Sequence, residues 1–268
     1  MVSARNFLIR GLLAGLFAGI VAFGVAYVVG EPSINAAIAI EEAGSAAPAE
    51  EAGHTHADET TEHSHSDGGE TVVPRSLQST LGLLTATAVA GVTLGGLAGV
   101  LSALALGRFG GLGARATTLA VAGIGFVTLY LMPFVAYPPN PPAVGQSDTI
   151  ALRSGLYFTM LAISVIAAVT AVVVGRKLAR TWSAWSAGLA AVGGYLVVTL
   201  VAIALLPTYN EVPAGFPATV LYEFRAASLV TQFALWGVLG VTLAELVHRL
   251  TRRNTGLAEA KVSYADAS

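Results

Sequence analysis

Six uninterrupted apolar stretches constrain the fold of this chain more than any other feature of its sequence. They cover residues 11–29, 81–106, 117–136, 155–175, 184–206 and 226–247. Each is long enough to cross the roughly 30 Å hydrocarbon core of a bilayer as an α-helix. Only helices or closed barrels satisfy their backbone hydrogen bonds in that environment. We therefore expect an all-α integral membrane protein, a six-transmembrane-helix bundle that forms a single polytopic domain over residues 1–268.

The composition supports a membrane protein and excludes several other classes. The chain is 54% hydrophobic and 11% charged, whereas about 25% of a typical soluble domain is charged. No basic face suited to nucleic acid is visible. Because the chain has no cysteine, disulfides and thiolate metal sites are excluded, and any bound metal must take nitrogen and oxygen ligands.

The first apolar stretch is interpreted as a retained membrane span. It is preceded by Arg5 and Arg10 and runs for 19 residues, from 11 to 29. The apolar core of a signal peptide is about 7–15 residues long, and no small-residue cleavage motif closes this stretch. A cleaved signal peptide is the alternative.

The distribution of basic residues predicts the orientation. With the N-terminus in the cytoplasm, the segments on that side hold eleven of the 14 Lys and Arg residues, and the opposite side holds Arg75, Arg153 and Arg225. Cytoplasmic segments of membrane proteins are enriched in Lys and Arg. We therefore expect a multi-pass protein of the plasma membrane with both termini in the cytoplasm, including a cytoplasmic tail at residues 249–268.

A long polar segment at residues 41–70 carries four of the five histidines, and the orientation above places it outside the cell. Ten of the 16 carboxylates but only one basic residue lie between residues 30 and 78. Imidazole nitrogen binds divalent transition metals, and acidic neighbours attract the cation. The candidate metal ligands are His54, His56, His63, His65, Asp58, Glu59 and Glu62.

The spacing of the histidines favours chelation. In an extended segment residues i and i+2 point the same way, so each His-x-His pair can hold one ion. The low hydrophobicity predicts a disordered loop that metal binding could order. The alternative is a solvated linker whose histidines are incidental. Ligand type does not single out one metal, since copper, nickel and zinc generally bind such sites more tightly than cobalt.

The three connections on the outer side share a loose pattern. Each has proline and asparagine soon after the preceding span, and one of Arg75, Arg153 and Arg225 before or near the start of the next. Three related helical hairpins are one interpretation, because internal repeats are common in transporters. The other is that proline and asparagine simply end helices while arginine reaches the interface.

The same connections hold oxygen donors that could form a cation pathway at the outer mouth of the bundle. Acidic rings perform this role in cation channels. The candidates are Glu31, Asn140, Asn210 and Glu211. Surface solvation and helix capping are the competing explanations.

Two further patterns concern helix packing and a possible second metal site. Glycine recurs every fourth residue at positions 11–19 and again at 91–99, which indicates closely packed helices. Glu245 and His248 have the i, i+3 spacing of carboxylate-bridged metal bundles. Arg249 at i+4 offers Glu245 an ordinary ion pair, and we prefer that interpretation.

Three strings resemble the CbtA family of predicted cobalt transporter subunits, and the resemblance covers essentially the whole chain. They are GEPSINAAIAIEEA at 30–43, YPPNPPAVG at 137–145 and NEVPAGFPATV at 210–220, the last leading to Arg225. The resemblance implies a membrane protein for cobalt uptake linked to cobalamin synthesis. It also implies a small partner subunit with its own single span.

Together these observations predict a membrane subunit that captures a divalent transition metal outside the cell and helps to move it inward. Cobalt is the expected ion, with nickel or zinc as alternatives. A metal-binding or sensing subunit that does not conduct is the alternative function. No catalytic residue and no cofactor is expected, and the chain has no nucleotide-binding signature such as G-x-x-x-x-G-K-[ST]. A membrane metalloenzyme is disfavoured because the spans contain no cluster of His and carboxylates.

Overall fold

A computed structural model of the protein describes residues 3–46, 74–142 and 144–266. Over these residues the chain is helical without strands. Six helices are long and apolar enough to cross a membrane, which confirms the predicted number. We name them α1 (Ala4–Gly44), α2 (Arg75–Ala105), α3 (Ala114–Ala136), α4 (Ile150–Leu178), α5 (Ala184–Leu205) and α6 (Ala218–Arg252).

The two ends of the bundle are distinguished by their connections. At one end, called the loop end, α1 leads towards α2, α3 connects to α4, and α5 connects to α6. The opposite end, called the terminal end, contains Ser3, the shorter connections and the continuation of α6. That continuation is helical to Asp266, so the described part of the predicted tail forms helix.

Helix α1 does not stop where its apolar stretch stops. The helix continues through Glu31–Ala46, which gives it a total length of about 60 Å at 1.5 Å per residue. Since the hydrocarbon core is roughly 30 Å thick, α1 projects well beyond the membrane at the loop end. Residues 41–46, predicted to begin the polar loop, belong to this projection.

Two prolines lie inside helices because a π-helical turn precedes each of them. Pro32 follows the π turn Ala26–Gly30, and Pro133 follows the π turn Val127–Leu131. Proline in an α-helix clashes with the carbonyl four residues earlier and cannot donate a hydrogen bond to it. The wider i to i+5 geometry moves that carbonyl away. Each helix therefore continues past a proline that, from the sequence alone, would be expected to end it.

Helices α1 and α2 pack backbone to backbone along their two glycine faces, as the spacing predicts. A Cβ placed on Gly15 would lie 2.0 Å from the carbonyl oxygen of Gly91, and one on Gly11 would lie 2.1 Å from that of Gly95. Distances this short are incompatible with any side chain. Close approach replaces the hydrophobic drive that is missing between helices in lipid.

The remaining four helices pair mainly crosswise, although α3 and α4 also contact each other within their hairpin. Helix α3 packs on α6, and α4 packs on α5, so the first helix of each hairpin contacts the second helix of the other. Helix α6 also packs on α1. Its residues Leu239, Leu243 and Val247 are fully buried, and this face forms the centre of the hydrophobic core.

A buried polar contact joins α3, α4 and α5. Ser164 of α4 donates to the carbonyl of Thr128 at 2.9 Å, and its Oγ lies 2.8 Å from the Tyr195 hydroxyl of α5. Thr128 lies in the π turn of α3, where the donor five residues later would be Pro133, which has no N–H. Ser164 therefore satisfies a carbonyl that the proline leaves without a helical partner, as the membrane interior requires.

Candidate functional site

The predicted metal ligands of the polar loop lie outside the described residues. This applies to His54, His56, His63, His65, Asp58, Glu59 and Glu62. The described chain leaves α1 at residue 46 and resumes at residue 74, both at the loop end. Within the described ranges, no three His, Asp or Glu side chains come together where they could hold a metal ion.

The oxygen donors predicted for the outer mouth lie at the loop end, and three of the four contact an arginine. Glu31 forms an ion pair with Arg75, within the hairpin of α1 and α2. The Glu31 side chain is 10% exposed. This pair joins the middle of the long helix α1 to the start of α2.

Glu211 forms an ion pair across two hairpins. Its Oε2 lies 3.1 Å from the Nε of Arg153, which is on α4, and the exposed fractions of the Glu211 and Arg153 side chains are 6% and 23%. The backbone N–H of Gln146 donates to the same oxygen at 3.3 Å. Arg153 in turn donates from Nη2 to the Gln146 carbonyl at 3.1 Å. The connection from α5 to α6 is thereby tied to the connection from α3 to α4.

Asn140 receives the reciprocal contact. Arg225 of α6 donates from Nη2 to Asn140 Oδ1 at 2.9 Å and from Nε to the Pro139 carbonyl at 3.2 Å. Each of these two hairpins therefore contributes an arginine that binds the connection of the other. The sequence pattern placed the arginines near their spans but did not predict this exchange.

Asn210 serves a local turn rather than facing the other donors. Its Oδ1 accepts a hydrogen bond from the Val212 N–H at 3.2 Å, an arrangement typical of asparagine turns. Five residues after Asn140 and five after Asn210 stand Gly145 and Gly215, both with positive φ, 131° and 88°. This equal spacing is a sequence signal that the pattern of proline, asparagine and arginine did not include.

Two stacked tyrosines hold these connections together. The rings of Tyr137 and Tyr209 are 5.5 Å apart and parallel. The Tyr137 hydroxyl donates to the Pro207 carbonyl at 2.9 Å. Burial raises the pKa of both tyrosines above the ordinary value, because the phenolate would be poorly solvated there. Both phenols therefore remain neutral hydrogen-bonding groups at physiological pH.

Two cavities adjoin the cross-hairpin contacts. The outer cavity, of about 720 Å³, lies between the projecting end of α1, near Glu41, and the connections around Gln146 and Gly215. The inner cavity, of about 380 Å³, is lined mainly by aromatic and proline side chains together with Asn140 and Arg153. Sequence reasoning did not find either cavity, since both depend on how the connections fold over the helices.

At the terminal end the structure confirms the preferred interpretation of Glu245. Arg249 Nε donates to its Oε1 at 2.8 Å, and Arg115 of α3 donates to its Oε2 from Nη2 at 2.7 Å. Glu245 is therefore the acceptor for two arginines and links α3 to α6. The i, i+3 spacing of Glu245 and His248 therefore does not require a metal ion as its explanation.

Comparison with protein families gives one match that covers most of the chain. A family model described as probable cobalt transporter subunit (CbtA) matches residues 4–248. No curated protein and no solved structure matches significantly. The matched range contains helices α1 to α5, α6 as far as residue 248, the loop-end contacts and the polar segment.

Proposed function

The chain belongs to the CbtA family, and we propose that it is the membrane subunit of an uptake transporter for a divalent transition metal, with cobalt as the cargo. The observation that carries this proposal is the family match over six membrane-length helices. The family description is that of a transporter subunit, and we assign no catalytic residue. Nickel and zinc are alternative cargoes, because nitrogen and oxygen ligands do not select cobalt.

The proposed first step is capture of the ion by the polar segment that follows α1. With the loop end outside the cell, His54 and His56 form one chelating pair and His63 and His65 the other. The carboxylates of Asp58, Glu59 and Glu62 complete their ligand shells. A tethered chelator raises the local metal concentration at the bundle. The projection of α1 beyond the membrane supports this step, since the segment starts from its far end.

The proposed second step is passage through the oxygen-rich loop end. Glu211, Asn140, Glu31 and Asn210 are the donors on this path. Arg75 and Arg153 neutralise the charges of Glu31 and Glu211 while no ion is bound. Entry into the cell needs no nucleotide hydrolysis by this chain, because an inward-negative potential supplies about 2.3 kcal/mol per elementary charge per 100 mV. For a divalent ion that is about 4.6 kcal/mol.

The word subunit in the family description supports a partner protein. We propose that this partner is small and has a single membrane span.

The experiment that tests the proposal measures the cobalt, nickel and zinc content of metal-starved cells that express the chain. Matched cells express the chain with His54, His56, His63 and His65 changed to alanine. Cobalt accumulation above the empty-vector level that falls in the histidine variant supports uptake fed by the loop. Metal binding by the purified chain without any accumulation would contradict uptake and favour a binding or sensing subunit.

A further inference from the structure

One arginine stands between the two cavities at the loop end. Of the described residues, Arg153 alone lines both the outer cavity of about 720 Å³ and the inner cavity of about 380 Å³. The outer cavity is open towards the projecting end of α1, and the inner one lies among Tyr130, Tyr157 and Tyr209. The Arg153 side chain therefore forms part of the wall of both cavities.

The guanidinium of Arg153 lies in a site formed by both the α3–α4 connection and the α5–α6 connection. The Gln146 carbonyl accepts a hydrogen bond from its Nη2, and Glu211 forms an ion pair with its Nε. That ion pair lacks hydrogen-bond geometry, because Nε has no hydrogen-bond partner among the described residues. Gly145 forms a third side, where an added Cβ would lie 2.5 Å from Nη1 and where φ is positive. Glycine at 145 thus leaves the room that the arginine occupies.

Glu211 is not fully satisfied by its arginine. Its side chain is 94% buried, and both of its contacts are made by Oε2. Oε1 is buried without a hydrogen-bond partner among the described residues. A buried carboxylate normally pairs each oxygen or coordinates a metal ion. An unpartnered buried acceptor is destabilising, so this site retains binding capacity that Arg153 does not use.

From this geometry we infer that Glu211, which lines neither cavity itself but pairs with the arginine that lines both, is a cation-binding residue. We infer also that Arg153 is a tethered cation which occupies this site and closes the route from one cavity to the other. A divalent cation binds Glu211 by displacing the guanidinium. Arg153 is the partner that moves, because its side chain is more exposed than that of Glu211 and is anchored on a helix beside open space. The inference rests on the proposed function, since it assigns a gate to the same route.

The reciprocal contact on the other side differs in charge. Arg225 binds the neutral amide of Asn140 and a backbone carbonyl, so that contact offers an incoming cation no carboxylate. The Glu31 and Arg75 pair also carries opposite charges, but Arg75 lines neither cavity, whereas Arg153 lines both. Among the loop-end arginines, only Arg153 combines a carboxylate partner with a place between the cavities.

Binding of Co²⁺ to the purified full-length chain in detergent tests the gate, with titration calorimetry as the measurement. The polar segment would mask the site, so all variants carry alanine at its four histidines. Removing the tethered competitor with Arg153→Gln should tighten Co²⁺ binding roughly tenfold, which corresponds to about 1.4 kcal/mol. The double variant Arg153→Gln/Glu211→Gln should lose this gain. The control is Arg115→Gln, which breaks an Arg–Glu pair at the terminal end and should leave Co²⁺ binding unchanged.

Arg153→Gln leaves Glu211 without its arginine and could prevent folding, so gel filtration and thermal melting accompany each titration. Arg153→Lys is the second variant. It retains the positive charge but loses the planar fork of donors, and should show a smaller gain in Co²⁺ affinity. Unchanged affinity in the folded variants at Arg153, or a gain that survives Glu211→Gln, would overturn the gate. Binding that follows the expected pattern without accumulation in cells would contradict transport while supporting the site.

Discussion

The close packing of α1 on α2 makes Gly15 the most demanding position for a substitution. In Gly15→Ala the new methyl carbon would meet the Gly91 carbonyl oxygen at 2.0 Å, the carbonyl carbon at 2.7 Å and the Gly95 Cα at 3.0 Å. All three obstacles are backbone atoms, so no side chain can rotate away. Restoring even a tight 3.0 Å contact requires the helices to separate by about 1 Å (3.0 − 2.0).

That separation determines the expected loss of stability. A gap of 0.5–1 Å forfeits a quarter to a half of the dispersion attraction of each facing atom pair, and the gap would extend over the glycine face. Overpacking in a well-packed interior costs about 1–3 kcal/mol. We expect the upper part of that range, about 3 kcal/mol, because the backbone cannot repack locally. This corresponds to roughly a 150-fold change in the folding equilibrium.

The assay is reversible unfolding of the purified protein in mixed micelles, followed by circular dichroism. The matched control is Gly24→Ala on the same helix, where an added Cβ meets nothing within 4 Å. The control should be as stable as the natural sequence or slightly more stable, since alanine has the higher helix propensity. Equal stability of the two alanine variants would refute the packing argument.

Two further predictions concern hydrogen bonding and pH. Ser164→Ala should lower the free energy of unfolding by about 1 kcal/mol, the scale of a hydrogen bond within the membrane, because the Thr128 carbonyl loses its donor. Tyr195→Phe should cost less, and a larger loss for Tyr195→Phe would contradict this assignment. Burial raises the pKa of Tyr137 and Tyr209 above 10, so the folded protein binds these protons more tightly than the unfolded chain. The free energy of unfolding should therefore stay constant below pH 10 and fall as the pH rises above it. The phenolate absorbance of the natural sequence, compared with that of the variants Tyr137→Phe and Tyr209→Phe, measures where the two phenols ionise. Ionisation of both phenols at pH 10 would contradict the prediction.

The number of helices, the α1–α2 contact face and the partner of Glu245 could all be predicted from the sequence. Each depends on spacing within one helix or on the length of one apolar stretch. Glycine at every fourth residue leaves one helix face without side chains, whichever helix it packs against. An arginine four residues after Glu245 lies within reach in any helix. These features therefore do not depend on the tertiary arrangement.

The continuation of α1 past Pro32 and the exchange of arginines could not be predicted in this way. Whether a proline ends a helix depends on whether the preceding turn can widen to a π turn, and composition does not reveal this. Arg153 and Glu211 are 58 positions apart in the sequence, and the crosswise pairing of hairpins brings them together. Sequence reasoning selected Glu211 as an outer-mouth donor, but the identity of its competitor required the fold.

Measuring Co²⁺ flux is the direct test of whether this subunit forms the path across the membrane. The purified chain would be reconstituted into sealed lipid vesicles, and uptake of Co²⁺ would be followed with and without an inside-negative potential. We expect Co²⁺ influx above that of protein-free vesicles, and a further increase when the potential is imposed. Influx no faster than in protein-free vesicles, from a chain that is folded and binds Co²⁺, would contradict the claim that this subunit forms the path.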